Sequence, residues 1–265
     1  MPGIVIEKSK TICSSEQPMT TLYLISLGQV EVQCPGGSYQ IRNGDVAGIC
    51  EICSEIHFLT YTALEDTTLM PYPLTSLEAL EDLMRKRPDI AKLFILSLLR
   101  QFNAMLEQCS LSEVTSANLY RRLRTDCELY ADLCERHKAP SRIPAEVEAI
   151  APSLEDSSDE WLSRYYAALQ RIYMSADSAV LLREPGLSLG ALRKGSLDLN
   201  KSYRVLEAQA QYRSQIVSCY FSPSENDLFD AMSKLYYRLR QEGQDASELY
   251  ESIEQMLFLP DEYDI

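Results

Sequence analysis

Along residues 4–73 apolar and polar positions alternate in short runs. Leu22–Ile25, Val30–Gln33, Tyr39–Arg42, Phe58–Ala63 and Thr68–Tyr72 carry apolar, aromatic or β-branched side chains at roughly every second position, the period of a strand with one buried face. Between the runs lie Gly28, Pro35-Gly36-Gly37 and Asn43-Gly44-Asp45, which supply the positive-φ positions that tight turns require. Short strands punctuated in this way predict a barrel or jelly roll.

After Pro73 the period changes from two to that of a helix. Thr75-Ser76-Leu77-Glu78 reads as a capping box opening a helix that runs to about Arg87, and Pro88 can start the next. From Asp89 to Leu106 apolar residues fall on most faces: Ile90, Leu93, Phe94, Leu96, Leu98, Leu99, Phe102, Met105 and Leu106. Such a helix must pack on the barrel and on something else as well. Two covers are open: a second copy of the chain, giving a homodimer through Phe94 and Leu98, or the chain's own C-terminal helices folding back.

Helical spacing continues through 111–137, with Leu119, Leu123, Cys127, Tyr130 and Cys134 at intervals of three and four. The Pro- and Ser-bearing acidic stretch 140–158 reads as a linker. Four helices are expected beyond it: Glu160–Leu182, Asn200–Tyr220, Pro223–Gln241 with Ser222 as its N-cap, and Ala246–Leu257. The three glycines from Gly186 to Gly195 read as an inter-helix loop. The last two helices have the summed length of a tetratricopeptide-type hairpin, but no second copy is legible, so an irregular bundle is expected. The fold class is therefore α+β: a β-roll over 1–110, a connecting helix over 111–139, a linker over 140–158 and an all-α region over 159–265.

Charge narrows the partners. The net charge is −14; residues 1–110 hold 8 basic and 13 acidic side chains, and 111–265 hold 17 and 26. A nucleic-acid binder draws its affinity from Lys and Arg on phosphates, so two acidic halves argue against nucleic acid. No basic leader or uninterrupted apolar span is seen, which predicts a cytoplasmic protein without a membrane segment. Of the eight cysteines, Cys50 and Cys53 form a lone Cys-x-x-Cys with no second pair and only His57 and His137 as histidine partners. Buried thiols are expected, not a metal site.

Leu22-Tyr23-Leu24-Ile25-Ser26-Leu27-Gly28-Gln29-Val30-Glu31-Val32 resembles the Leu-Tyr-x-Ile-x-x-Gly-x-Val-x-Val signature of cyclic-nucleotide-binding domains of the catabolite-activator family and of protein kinase regulatory subunits. Asn43-Gly44-Asp45-Val46-Ala47-Gly48 resembles that family's Pro-Gly-Asp-x-Phe-Gly, and Ala63-Leu64-Glu65-Asp66 its strand toward the terminal helices. The resemblance covers residues ~4–108 and implies a cyclic-nucleotide-binding-like β-roll (jelly roll) with helices. In that family a cassette supplies a Glu for the ribose, directly after Phe-Gly, and an Arg for the cyclic phosphate. Aligned on Gly48, the Glu position holds Ile49; counted back from Ala63, the Arg position falls on His57, give or take one. Isoleucine accepts no hydrogen bond and a histidine lacks the permanent guanidinium fork. Ordinary cyclic-nucleotide binding is therefore expected to be lost. Glu51, two residues beyond, could replace the missing Glu only in a remodelled cassette.

The family's DNA-binding helix-turn-helix is not legible after residue 110. Nor is a Gly-x-Ser-x-Gly, a phosphate loop or a His-Glu-x-x-His motif, so neither enzymatic activity nor a cofactor is expected. Two readings stay open. In one, a degenerate β-roll serves a regulatory or scaffolding protein whose helical region binds another protein; in the other, the roll still senses a cyclic nucleotide or other small molecule through Gly48, Ile49, Glu51 and His57.

Overall fold

The computed structural model describes residues 3–143, 147, 150, 185–222, 227–259 and 263. Strands are β1 Ile4–Ile6, β2 Thr11–Cys13, β3 Thr21–Leu27, β4 Gln29–Cys34, β5 Gly37–Arg42, β6 Val46–Ala47, β7 Thr60–Ala63 and β8 Thr67–Pro73. Helices are α1 Leu77–Lys86, α2 Pro88–Arg136, α3 Pro185–Tyr220, α4 Leu228–Gln241 and α5 Ser247–Met256. The strands form two antiparallel four-stranded sheets, β1-β8-β3-β6 and β2-β7-β4-β5.

The alternation read from the sequence sets the inner face. Leu22 and Leu24 of β3, Val30 and Val32 of β4, Tyr39 and Ile41 of β5, and Tyr61 and Ala63 of β7 are all buried. Val30 lies opposite Ile41 and Ala63, and Val32 opposite Tyr39 and Tyr61, so the apolar rows stack in register. The register of β3 on β8 shifts between Ile25 and Leu27; this irregularity lets Ile25 be buried directly after Leu24. At the β4–β5 hairpin Pro35 fixes the first turn position and Gly36, at φ +72°, supplies the left-handed second one.

The described residues group into two compact units. One contains 3–110 with 185–207, the other 111–143, 147, 150, 208–222, 227–259 and 263. In the first, the barrel core is completed by Leu80 and Met84 of α1, by Ile90, Phe94, Leu98, Phe102 and Met105 of α2, and by Leu189, Leu192, Leu199 and Leu206 of α3. In the second, Leu119, Leu123, Tyr130 and Leu133 of α2 share a core with Ile216 and Tyr220 of α3 and with residues of α4 and α5.

The helical spacing expected to continue through 111–137 forms one unbroken helix over 88–136, which contains no Gly and no Pro after Pro88 to stop it. Expectations for the later helices are corrected. Helix α3 is already present at Pro185, fifteen residues before the expected start, so the glycines expected in a loop are helical. Leucines at 189, 192, 199 and 206 keep one face of it in the core, and Gly195 admits a close approach: a Cβ there would lie 2.5 Å from Leu98 Cδ2. Helix α4 starts at Leu228, five residues later than expected. Its N-cap is Asp227, whose carboxylate accepts from the Asp230 amide at 2.7 Å and from the Ser222 amide at 3.0 Å, leaving Ser222 outside the helix. Phe94 and Leu98 are 0% and 2% exposed in the single chain. Of the two covers open to this helix, the chain itself supplies one, with Gly195 of α3 against Leu98. The helix expected over 160–182 and most of the 140–158 linker lie outside the described residues. No described helix is long and apolar enough to cross a membrane.

Candidate functional site

The segment from Gly48 to His57 sits between β6 and β7. Gly48 takes φ +86°, and a Cβ there would stand 3.2 Å from Met19 and 3.4 Å from His57, so both conformation and space call for glycine. One 3-10 turn, Ile49–Glu51, follows, and Ile49, Cys50 and Glu51 are completely buried. The returning chain is pinned by backbone bonds: the His57 amide to Gln17 O and the Glu16 amide to His57 O, each 2.8 Å, with the Met19 amide to Glu55 O at 2.9 Å. These bonds hold residues 57–59 facing the 3-10 turn.

At this spot a carboxylate with no solvent exposure is met by four donors. Glu51 Oε1 accepts the backbone N–H of Phe58 at 2.6 Å and of Leu59 at 2.8 Å. Oε2 accepts the Tyr61 hydroxyl at 3.0 Å and lies 2.8 Å from His57 Nδ1. A carboxylate has about four acceptor sites, so this one is saturated from within the chain. Burial, and secondarily the charge of Glu51, pushes the Tyr61 hydroxyl well above the usual tyrosine range, which keeps it a proton donor. His57, 3% exposed, packs edge-on against Tyr61 at 6.2 Å between centroids.

Helix α2 closes one side with polar groups that interrupt its apolar face. The Val46 amide donates to Ser97 Oγ at 2.8 Å, and Gln101 Nε2 donates to Val46 O and to Ser97 Oγ, each at 2.9 Å. Strand β6 is the edge of its sheet, and these two side chains stand in for the missing neighbour. Gln101 Oε1 in turn accepts the Cys50 thiol at 3.2 Å. Arg100 reaches from the same helix to Asp45, with Nε 2.7 Å from Oδ1. Helix α3 covers the turn itself: Ser196 Oγ donates to Cys50 O at 2.7 Å and accepts from the Cys53 amide at 3.3 Å, and Tyr203 packs on Phe58 with centroids 5.0 Å apart.

The four residues singled out in the sequence are thus brought together. Gly48 shapes the turn, Ile49 fills the interior, and Glu51 pairs with His57. Cys50 and Cys53 are engaged separately, with Gln101 and with Arg193 O, and among the described residues no group of His, Cys, Asp and Glu could hold a metal ion. Sequence reasoning missed Tyr61, Ser97, Gln101 and Ser196. Ser97 and Gln101 left one signal, an uncharged polar pair at i and i+4 inside a helical run rich in apolar residues. A carboxylate beside an imidazole can serve acid–base chemistry when substrate reaches it; here both partners are shut from solvent and the carboxylate is fully engaged.

No family model matches the chain, and no curated protein matches it. Solved structures do match. They include the regulatory subunit of a cAMP-independent protein kinase A from Trypanosoma brucei, at 18% identity over 32% of this chain and 35% of that one, with a TM-score of 0.28. A cAMP-binding acyltransferase from Mycobacterium smegmatis matches at 16% identity over 39% of this chain and 33% of that one, with a TM-score of 0.32. The N-terminal domain of a transcriptional regulator from Streptomyces coelicolor matches at 17% identity over 39% and 75%, with a TM-score of 0.28. The chain spans about a third of the length of the first two. Cyclic-nucleotide-binding domains are thus among the solved structures to which this chain is similar.

Proposed function

We propose that this is a non-catalytic regulatory or scaffolding protein, cytoplasmic, whose cyclic-nucleotide-binding-like β-roll is closed to cyclic nucleotides and whose helical region engages another protein. The observation that carries the reading is Glu51: its buried carboxylate is held by four groups from residues 57–61, while Ile49 stands where a ribose-binding Glu is expected. A nucleotide phosphate entering there would meet a carboxyl group already hydrogen-bonded within the chain, in place of an Arg. Among the described residues no disulfide joins the cysteines, which suits a reducing compartment. Tyr237, Tyr250 and Phe258, at or near α4 and α5, are exposed and of the kind enriched in protein contacts. A homodimer through Phe94 and Leu98 is not part of the proposal, since both are buried in one chain.

Calorimetric titration with cyclic AMP and cyclic GMP tests the reading. The expected result is no heat of binding and no change in Tm at millimolar nucleotide; a saturable isotherm for either nucleotide would overturn it. The second reading, a ligand-sensing roll, is favoured by one feature: a hollow of about 280 Å³ lined by Gln29, Arg42, Asp45, Arg100 and Gln101. Its lining does not include the cassette residues 48–59, so a ligand held there would leave Glu51 in place.

A further inference from the structure

Burying a carboxylate is unfavourable unless donors converge on it, and here the acceptor and the donors sit on successive parts of one stretch of chain, the 3-10 turn and residues 57–61. All four donors belong to residues 57–61, and two of them are consecutive backbone amides aimed at one oxygen. Successive amides turned to one point make an anion-binding concavity. Backbone bonds to Gln17 and Glu16, and the pairing of Tyr61 with Val32 in β4, fix that concavity without help from Glu51. The acceptor arrives separately, on the 3-10 turn that follows Gly48. Cradle and occupant are therefore separable.

We propose that residues 57–61 form a carboxylate-binding site, that Glu51 fills it as a tethered internal ligand, and that a free monocarboxylate takes its place when the Glu51 side chain is removed. The proposal rests on the closed-cassette reading. Tethering explains the closure, because a ligand attached a few bonds away outcompetes a dissolved one at ordinary concentrations. The donors also set the ligand class. Among the described residues no Arg or Lys is hydrogen-bonded to Glu51, so this set of donors lacks the fixed charge that favours phosphate. Two amides on one oxygen and a hydroxyl and an imidazole on the other suit a planar oxyanion of single charge.

Glu51→Ala deletes a fragment the size of acetate, so the test is thermal unfolding of the full-length Glu51→Ala chain titrated with sodium acetate against sodium chloride at matched ionic strength. A saturable acetate-specific gain is expected, roughly 3–6 °C in Tm at about tenfold excess over the dissociation constant, with wild type indifferent. Formate should restore less than acetate, and in Glu51→Gly the best rescuer should shift to propionate. Tyr61→Phe in the Glu51→Ala background should weaken the effect several-fold. If Glu51→Ala is unfolded in plain buffer, recovery of the folded signal with acetate is the readout. A variant that answers acetate no better than chloride, folded or unfolded, overturns the proposal. The wild-type nucleotide titration stays independent: nucleotide binding by wild type defeats the closed cassette, whereas failed rescue with an inert wild type defeats the internal ligand alone.

Discussion

Each compact unit holds a carboxylate on which other groups converge, Glu51 fully buried and Asp126 partly so, and the two are held by different means. Glu51 in the first unit takes two backbone amides, a tyrosine hydroxyl and an imidazole, all within ten residues of itself. Asp126 in the second takes side chains from far along the chain: the Tyr220 hydroxyl at 2.8 Å and the Ser252 hydroxyl at 3.0 Å, with Arg122 Nε 4.0 Å away. Hydroxyls rotate, and either can find another acceptor or accept a bond itself. Amide N–H groups fixed in a folded backbone cannot turn round, so they stay buried and unmet when their acceptor goes. The first arrangement is a local lock, and the second a tie between α2, α3 and α5 within the second unit.

The largest effect should follow from breaking the lock. Glu51→Leu is expected to cost roughly 3–5 kcal/mol, since it orphans two amides and a hydroxyl at once; a loss under about 1 kcal/mol in urea titration would remove the distinction between the two sites.

A smaller and pH-dependent effect is expected at Asp126. Burial raises its carboxyl above the usual value of 3.8, with the Tyr220 and Ser252 bonds and Arg122 pulling it partly back. A raised carboxyl binds its proton more tightly folded than unfolded. Its contribution is therefore fully present below the unfolded value and is lost as pH rises through the folded one. Asp126→Asn should thus gain relative to wild type as pH climbs out of the acid range, and urea midpoints at several pH values would show it; a difference that runs the other way contradicts the assignment. Tyr220→Phe should cost less again, about 1 kcal/mol, because Ser252 still serves the carboxylate.

The smallest effect is on reactivity. Each carboxylate has a cysteine beside it in sequence, Cys50 and Cys127. Burial first, and the neighbouring charge second, pushes the Cys50 thiol well up and that of Cys127 to about 12. Iodoacetamide at mildly alkaline pH should leave both untouched in the native chain. Of the two thiols that are not fully buried, Cys53 should be modified first and Cys34, which burial pushes up to about 11, only slowly, as peptide mass mapping would show, with all eight reacting after unfolding.

The two regions were unequally legible. Leu22, Leu24, Val30 and Val32 announce their strands because a pleated surface has a period of two and glycines mark its turns. Gly48, Ile49, Glu51 and His57 could be found because the turn and its neighbours are contiguous. What Glu51 does could not be read, since its main partners are amides, and every residue has one; only the fold decides which point inward. Helix lengths failed where tertiary packing overrode local signals: the glycines near 190 look like a loop until Leu98 is placed beside Gly195. Asp227 was missed as a cap because Ser222-Pro223 offers the same chemistry five residues earlier.

Gly195 gives α3 an unusual response to a routine stabilising substitution. In an open helix, Gly→Ala gains about 1 kcal/mol through helix propensity, and Gly190, with nothing within 4 Å of where its Cβ would stand, offers that gain. Five residues on, the same methyl would meet Leu98 Cδ2 at 2.5 Å and Cγ at 3.3 Å, in a core where Leu98 has little room to withdraw. One helix thus holds two glycines of opposite meaning. The first is spare conformational entropy; the second sets how near the axes of α2 and α3 come, and so how firmly Ser196, one residue further, presses on the turn that carries Glu51.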